Sequence, residues 1–268
     1  MLLRLSHVDI SYGGKGAKGE SESATVKDVS LELAQGECLA IVGESGSRKT
    51  TVIRAILGCL PGGGRVSSGS VEFDGKNLLG LSSEEWRKIR GKDISMIFQD
   101  SGNMMNPVHT IGKQFIEYIR LHSDMGKKEA YDKAVEMLTM MNLPNPENIM
   151  ESYTFELSGG MRQRVGIAMA ISFRPKLLLA DEPTSALDVT TQAQIVGELM
   201  FITGSDASMI VVTHNIGVAS CLGDKLMVMR GGRVEEYGET EEVLSRPKSE
   251  YTRMLLGTVP EIGGKRYV

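Results

Sequence analysis

The chain has 268 residues, of which 41% are hydrophobic and 24% are charged, and these proportions are ordinary for a globular protein with a sizeable core. Its net charge of −4 excludes an overall basic signature for nucleic acid, so we expect no nucleic-acid partner. The 3 cysteines are scattered without a C-x-x-C pair, which argues against a disulfide framework or a metal site and fits a reducing cytosol.

The first part of the chain predicts strands separated by glycine-containing loops. Leu2–Ile10 alternates apolar and polar residues, which is typical of a strand and unlike the unbroken apolar stretch of a signal peptide. The Gly- and Ser-rich segment 13–25 predicts an exposed loop. Val26–Leu33 and Glu37–Val42 predict two further strands, and Lys49–Gly58 predicts a helix.

The middle of the chain changes from strands to helices. Short strands are predicted at Ser70–Asp74 and Ile94–Phe98. Helical periodicity then runs from Thr110 to about Asn142, and a further helix is predicted at Gly159–Phe173. This change indicates a helical subdomain inserted into a sheet-containing core.

The last third returns to short buried strands, Leu177–Asp181 and Met209–Thr213, with a helix between them and a later hairpin that turns at Arg230–Gly232. These apolar runs are far too short to span a bilayer. Buried strands that alternate with helices predict an α/β core with a mainly parallel sheet. We expect one domain, 1–268, with the following parts: a core of about 1–99 and 174–245, a helical subdomain of about 100–173 and a tail of about 246–268.

A strand, a glycine loop and a helix meet at GESGSRKTT, Gly43–Thr51. A phosphate-binding loop reads Gly, four residues, Gly, Lys, then Ser or Thr, and here Arg48 replaces the second glycine. The altered motif is weak alone, but its inward N–H groups and the helix N-terminus would attract phosphate. Lys49 would reach the β- and γ-phosphates, and Thr50 would bind Mg²⁺. The candidate binding residues are Gly43, Glu44, Ser45, Gly46, Ser47, Arg48, Lys49, Thr50 and Thr51.

Two acidic residues end a predicted buried strand in LLLADEP, Leu177–Pro183. Because burying carboxylates is costly, their position favours a function. Asp181 would orient the shell of a Mg²⁺ ion, and Glu182 would polarise an attacking water. The alternative is that both acids are simply solvated at the strand end.

Three further segments place polar groups where ligands commonly bind. LSGGMRQR, Leu157–Arg164, opens a predicted helix with exposed N–H groups, although in isolation a simple N-cap at Ser158 is the better interpretation. Gln99 and His214 each follow an apolar strand, and open α/β sheets bind ligands at that edge. For His214 in isolation, an ordinary surface histidine is the simpler interpretation.

Taken together, these segments resemble the ATP-binding cassette (ABC) family of transport ATPases over nearly the whole chain. The matching features follow the family's order: Tyr12 for adenine stacking, the loop 43–51, the Q-loop Gln99, LSGGMRQR as the signature, LLLADE as Walker B, SALD (Ser185–Asp188) as the D-loop, and His214 as the switch histidine. FQDSGNMMNPVHTIG and the near-terminal PKSEYTRMLL resemble the peptide and nickel importer branch.

The resemblance implies a fold, two cofactors and a role for each residue. The fold is a P-loop NTPase (RecA-like) core with an N-terminal antiparallel β region and the inserted helical subdomain. The cofactors are ATP and Mg²⁺, bound between two cassettes that meet head to tail. The implied catalytic residues are Glu182, His214 and Gln99, and the implied metal ligands are Thr50, Gln99 and Asp181. The residues Ser158, Gly159 and Gly160 would contact ATP bound to the partner cassette, with Asp188 at the dimer seam.

The resemblance also implies how such a subunit works. ATP hydrolysis would loosen the cassette dimer and drive uptake of peptides, nickel or a similar solute through two integral membrane permease subunits. An extracytoplasmic binding protein would act indirectly, and the chain would sit at the cytoplasmic face of the membrane. We expect the permease contact surface at about 100–125.

Arg48 is the departure from the family pattern. Glycine normally allows the backbone to approach the phosphates there, so a long side chain predicts weaker ATP binding or hydrolysis. Two alternatives stay open: the guanidinium binds phosphate, or it points harmlessly to solvent. The altered loop favours a dimer of two different cassettes over one of identical chains.

Two other functions remain open at this point. The first is a regulatory cassette that binds nucleotide but barely hydrolyses it, for which Arg48 is the support. The second is a soluble ABC ATPase of DNA repair or translation, although such proteins tend to carry two cassettes or a long coiled-coil insertion.

Overall fold

The structure is a computed structural model that describes residues 1–13, 24–185, 187–204 and 207–258. Most of the predicted loop 13–25, one residue of the predicted D-loop (186) and the last ten residues of the predicted tail lie outside this range.

Within the described residues the chain forms two sheets. Their strands are β1 Leu3–Ser11, β2 Ala24–Leu33, β3 Cys38–Val42, β4 Arg65–Phe73, β5 Lys76–Asn77, β6 Ile94–Ile97, β7 Leu177–Asp181, β8 Ser208–Thr213, β9 Lys225–Arg230 and β10 Arg233–Glu239. The first sheet is antiparallel, with the order β2-β1-β4-β5, and the second has the order β10-β9-β3-β8-β7-β6.

The second sheet confirms the predicted mainly parallel core. Its strands β3, β6, β7, β8 and β9 pair in parallel, and only the β9–β10 hairpin is antiparallel. Every residue of β3, β7 and β8 is buried, which explains their continuous apolar sequences. Because β3, β7 and β8 run parallel to one another, their carboxyl ends meet at one edge of the sheet.

The helices of the described chain are α1 Lys49–Ile56, α2 Ser83–Ile89, α3 Ser101–Met104, α4 Ile111–His122, α5 Lys127–Met140, α6 Pro146–Glu151, α7 Gly159–Ile171, α8 Val189–Thr203, α9 Ile216–Leu222, α10 Thr240–Ser245 and α11 Glu250–Gly257. Helices α3 to α7 lie between β6 and β7 in the sequence, as expected for the inserted helical segment. No helix among the described residues combines the length and apolar character needed to cross a membrane.

The structure departs from the predicted elements at several points. Strand β4 starts at Arg65, five residues before the predicted start at Ser70. The predicted helical run 110–142 divides into α4 and α5, because Ser123 ends α4 in an extended conformation. Helix α2 was not predicted, although Ser82 and Glu85 form a capping box at its start.

Two apolar clusters hold these layers together on opposite faces of the second sheet. Alternate β3 side chains enter different clusters: Ala40 packs with the helical segment, whereas Ile41 packs with α1 and the antiparallel sheet. Burial on both faces fixes the sheet rigidly, so the polar residues that follow β3, β7 and β8 are held in defined positions.

Candidate functional site

The loop 43–48 connects β3 to α1 and needs glycine at its first position. Gly43 has φ 152°, and a Cβ added to it would overlap the carbonyl oxygen of Met229 at the end of β9. Gly232 in the β9–β10 turn donates its N–H to the carbonyl of Ser47 at 3.1 Å. The hairpin thus supports one side of this loop.

Arg48 takes the backbone conformation of a glycine. It lies in the left-handed region at φ 77° and ψ 19°, directly before α1, where its side chain makes no capping hydrogen bond. The side chain is exposed, and no hydrogen bond or ion pair joins it to another described residue. The left-handed conformation costs a non-glycine residue roughly 1 kcal/mol or more.

Lys49 is buried and bound to the loop's own oxygens. Its Nζ donates to the carbonyls of Gly43 at 2.7 Å and Glu44 at 3.0 Å, and to Ser47 Oγ at 3.3 Å. Burial lowers the pKa of Lys49, while the nearby carboxylates of Glu182 and Asp181 act in the opposite direction. The ammonium group is therefore held against the loop at the carboxyl end of β3.

Thr50 connects the start of α1 to the end of β7. Its hydroxyl donates to Asp181 Oδ1 at 2.7 Å, and Asp181 is almost fully buried. Burial raises the pKa of Asp181, and the hydrogen bond from Thr50 opposes that rise. A desolvated carboxylate beside a hydroxyl is a pair of oxygen ligands of the kind that Mg²⁺ prefers.

Glu182 and His214 form a second pair at the same sheet edge. Glu182 follows β7, has φ 48°, and donates its N–H to the carbonyl of Val212 in β8. Its carboxylate accepts a hydrogen bond from His214 Nδ1 at 2.9 Å. The Glu182 side chain is mostly buried, whereas the His214 ring is largely exposed.

The other predicted residues of the loop and its surroundings lie at varied depths. Ser47 is buried, and Glu44, Ser45 and Gly46 are exposed. Tyr12, at the end of β1, is half-buried against Gly64, since a Cβ on Gly64 would come within 2.5 Å of its ring. Thr51 belongs to the first turn of α1, where its N–H donates to the Arg48 carbonyl at 3.1 Å.

Gln99 lies in the turn after β6 and is exposed. It lines a small cleft with Gly159, Pro183 and Leu187, so the structure places it beside the start of α7. No described hydrogen bond joins Gln99 to Thr50 or Asp181.

The predicted signature segment forms the start of α7. Ser158 is exposed and caps the helix by accepting the N–H of Met161 at 3.3 Å, as in the simple N-cap interpretation. Gly160 allows α8 to approach, because a Cβ there would lie 2.7 Å from Thr191 Cγ2. Asp188 caps α8 by accepting from Thr191 N at 3.0 Å and Oγ1 at 2.7 Å, and these hydrogen bonds lower the pKa of Asp188.

The structure therefore gathers most of the predicted residues into two groups, with Tyr12 and Gln99 outside both. The first lies at the ends of β3, β7 and β8 and comprises the loop 43–51 with Asp181, Glu182 and His214. The second comprises Ser158, Gly159, Gly160 and Asp188 at the starts of α7 and α8. No hydrogen bond or ion pair that the structure describes joins the two groups.

Two contacts at the site were not predicted from the sequence. Tyr251 in α11 accepts the backbone N–H of Glu44 in the loop at 3.3 Å. Gln163 in α7 is buried, donates to the carbonyl of Phe98 at 3.2 Å and accepts from Ser101 N at 3.4 Å, which ties α7 to the segment of Gln99. A glutamine at a buried helix position was the available signal for Gln163, and nothing in the sequence pairs residues 44 and 251.

The first group can hold an anion beside a cation and position water. The loop supplies N–H donors and the Lys49 ammonium, Asp181 and Thr50 supply oxygen ligands, and Glu182 with His214 supplies a base and its partner. Among the described residues there is no cluster of three or more His, Cys, Asp or Glu side chains that would hold a metal ion alone.

Comparison with known families and proteins agrees with this geometry. The profile of the family described as "ABC transporter" matches residues 26–185. The chain is 41% identical over 261 residues to the dipeptide transport ATP-binding protein DppD of Haemophilus influenzae, covering 97% of this chain and 78% of that protein. It is 41% identical over 263 residues to the oligopeptide transport ATP-binding protein OppD of Salmonella typhimurium, covering 98% of this chain and 77% of that protein.

Solved structures agree at the level of the fold. The ATP-binding cassette MJ0796, solved as a dimer in a post-hydrolysis state bound to ADP and Pi, superposes with a TM-score of 0.77 and 30% sequence identity. The match covers 89% of this chain and 99% of that one.

Proposed function

Because this chain belongs to the ABC transporter family, we propose that it is the ATP-binding subunit of an importer, that it hydrolyses ATP at a cassette dimer interface, and that its cargo is peptides. The observation that carries the proposal is the first group of residues, in which Thr50 contacts Asp181 and Glu182 contacts His214 at one sheet edge. The peptide transport ATP-binding proteins among its relatives support the choice of cargo. Nickel or another small solute is the alternative cargo.

In this proposal the loop holds the phosphates of ATP. The N–H groups that follow Glu44 in the loop bind them together with Lys49, which exchanges its contacts to Gly43 and Glu44 for phosphate oxygens. Tyr12 stacks on the adenine. Binding is then largely placement and charge neutralisation, which is what phosphoryl transfer requires.

Mg²⁺ fits the oxygen ligands that the chain presents. We assign Thr50 and Asp181 to it because the hydroxyl and the buried carboxylate are already adjacent, and we assign Gln99 by family resemblance. The ion neutralises charge on the phosphates when bound. Glu182 orients and deprotonates the attacking water, and His214 holds the Glu182 carboxylate in place before contacting the γ-phosphate.

The second group of residues serves a partner cassette. Ser158 and Gly159 are exposed and make no described hydrogen bond to their own chain's loop, which supports a role toward ATP bound by a facing cassette. Asp188 then lies at the seam between the two chains. We favour a partner cassette of a different sequence, because the phosphate loop of this chain is altered at Arg48 whereas its signature segment matches the family pattern.

The helical segment offers a surface for a permease. Met104, Val108, Leu121 and Phe155 each expose more than half of their surface, and the rings of Tyr153 and Phe155 stack at 5.5 Å. Leu121 also lines a groove between α4 and α5, together with Ile116 and Tyr131 among others. This surface includes the expected region 100–125 and extends it to 150–155. Through it, two permease subunits would hold the chain at the cytoplasmic face of the membrane, with a substrate-binding protein acting on the far side.

A catalytically weak cassette is the second candidate. Its support is Arg48, which holds a left-handed conformation that glycine adopts at lower cost. In that case the chain would contribute its signature segment to an active partner and turn over little ATP itself.

The test of the proposed function is purification of the tagged full chain from its own cells in mild detergent. We expect two membrane subunits and a second cassette to co-purify, and the assembly in proteoliposomes to accumulate labelled peptide only with ATP and Mg²⁺. Accumulation of Ni²⁺ in place of peptide would overturn the proposal that the cargo is peptides. Co-purification with ribosomes or DNA, without membrane subunits, would overturn the transport function and favour a soluble ABC ATPase.

A further inference from the structure

The phosphate loop has a contact with the C-terminal helix that no part of the proposed function uses. Tyr251, the second residue of α11, is only 4% exposed, and its hydroxyl accepts the N–H of Glu44 at 3.3 Å. Glu44 lies next to Gly43 at the start of the loop, before the N–H groups that face a phosphate. One buried hydroxyl therefore holds the end of the loop that is remote from α1.

The hairpin β9–β10 holds Tyr251 in this position from one side. The Arg230 guanidinium lies 4.8 Å from the centroid of the Tyr251 ring. Such a cation–π contact restricts the ring and leaves its hydroxyl directed at the loop. The same hairpin contacts the loop itself through Gly232 and Met229.

Glu236 fixes the start of α11 from strand β10. Its carboxylate accepts the N–H groups of Lys248 at 2.9 Å and Ser249 at 3.0 Å, just before the helix begins. Burial tends to raise the pKa of Glu236, but these N–H donors outweigh burial and the pKa lies below its usual value. Glu236 is thus ionised at neutral pH and anchors the segment that carries Tyr251.

We propose that Tyr251 is a positioning residue for ATP binding: through its hydroxyl it fixes Glu44, so that the following N–H groups of the loop are already arranged for phosphate. The proposal rests on the proposed function, in which this loop binds ATP. Tyr251 touches no reacting atom. Its loss should therefore weaken ATP binding and raise KM while leaving kcat almost unchanged.

If Tyr251 only fills the space between α11 and the hairpin, Tyr251→Phe should leave ATP binding unchanged, because this variant keeps the ring and removes the hydroxyl alone. The matched control is Tyr237→Phe, because Tyr237 lies on β10 and its hydroxyl donates to the carbonyl of Glu32 at 2.9 Å, away from the loop. Both variants lose one hydroxyl and one hydrogen bond from neighbouring elements.

The experiment compares the natural chain with both variants by titration of a fluorescent ATP analogue in the presence of Mg²⁺, by steady-state ATPase kinetics of the chain assembled with its partner cassette, and by amide hydrogen exchange of the nucleotide-free chain. For Tyr251→Phe we expect the Kd and KM for ATP to rise roughly three- to tenfold, the size of one lost hydrogen bond, with kcat within about twofold. The amide of Glu44 should exchange faster by a similar factor. Tyr237→Phe should match the natural chain in all three.

Equal Kd and equal Glu44 exchange in Tyr251→Phe and the natural chain would overturn the positioning role, and so would a fall in kcat at unchanged KM. Failure of the natural chain to bind the analogue at all would instead overturn the proposed function. The exchange measurement needs no nucleotide, so the two failures are distinguishable.

Discussion

The sheet-edge group and the signature group differ in how completely the chain itself assembles them. At the sheet edge, Thr50 contacts Asp181 and Glu182 contacts His214, so side chains from three different elements meet within one chain. At the start of α7, the hydrogen bonds of Ser158 to other described residues all lie within the helix that it caps. Side-chain hydrogen bonds within the chain connect members of the first group, whereas Ser158 and Gly159 of the second group are exposed at a helix N-terminus.

This difference has a physical origin. The ends of β3, β7 and β8 are fixed because both faces of their sheet are buried, and fixed strand ends hold polar side chains without help from a partner. The signature group lies at helix N-termini, where exposed N–H groups gain an anion only when one is brought to them. Changes in the first group should therefore act within this chain, and changes in the second group should act on the partner's ATP.

The largest effect is expected from Glu182→Gln at the sheet edge. The amide keeps the size of the side chain but cannot accept the proton of the attacking water, so hydrolysis should fall at least about 100-fold while ATP binding is retained. ATP should then trap the closed dimer, and phosphate release and size-exclusion chromatography with ATP measure both effects.

The control for this variant is Glu235→Gln, because Glu235 is an exposed glutamate on β10 with no described hydrogen bond or ion pair to the site. It should hydrolyse ATP at the natural rate. Normal turnover by Glu182→Gln would show that Glu182 is not the catalytic base and would contradict the hydrolytic role proposed for the sheet-edge group.

The sequence predicted the sheet-edge group better than its surroundings, for reasons that particular residues make plain. The strand Leu177–Asp181 and the loop 43–51 are local patterns, and the burial of five consecutive residues makes such a strand visible. Helix α2 was missed because it has one buried residue, Trp86, and hence no periodic apolar face. The contact of Tyr251 with Glu44 joins residues 207 positions apart, which no local pattern reports.

Arg48 shows a second limit of prediction from the sequence. The motif predicts glycine there, because glycine lets the backbone approach the phosphates closely. The structure adds a backbone reason, because the residue has φ 77° before any ligand is considered. A motif therefore marks a position without saying which physical constraint the replaced residue violates.

An intermediate effect is expected from Ser158→Ala, which tests the signature group. Loss of the N-cap should destabilise the chain by about 1 kcal/mol. ATP binding by the isolated chain should be unchanged, whereas the ATPase rate of the assembled pair should fall about tenfold, because one hydrogen bond to the partner's ATP is lost.

The matched control is Ser82→Ala, since Ser82 caps α2 in the same way, by accepting the N–H of Glu85 at 3.3 Å. Both variants should lose similar stability in thermal melting, and only Ser158→Ala should slow the assembled pair. Weaker ATP binding by isolated Ser158→Ala would contradict the division into two groups, because the signature segment would then serve its own chain.

The smallest effect is expected from Arg48→Gly, which returns the sheet-edge group to the family pattern. Glycine relieves about 1 kcal/mol of left-handed strain in the folded loop but also frees the unfolded chain, so the free energy of unfolding should change little. The binding conformation of the loop should become more populated and the space beside Lys49 should open, so the Kd for ATP should fall about fivefold and turnover should rise.

Arg174→Gly is the control, because Arg174 is likewise an exposed arginine with positive φ, 49°, but precedes β7 far from the loop in sequence. Equal affinity and equal rate for Arg48→Gly and the natural chain, measured by analogue titration and phosphate release, would mean that the exposed guanidinium leaves this half of the site intact and that Arg48 gives no reason to expect two different cassettes.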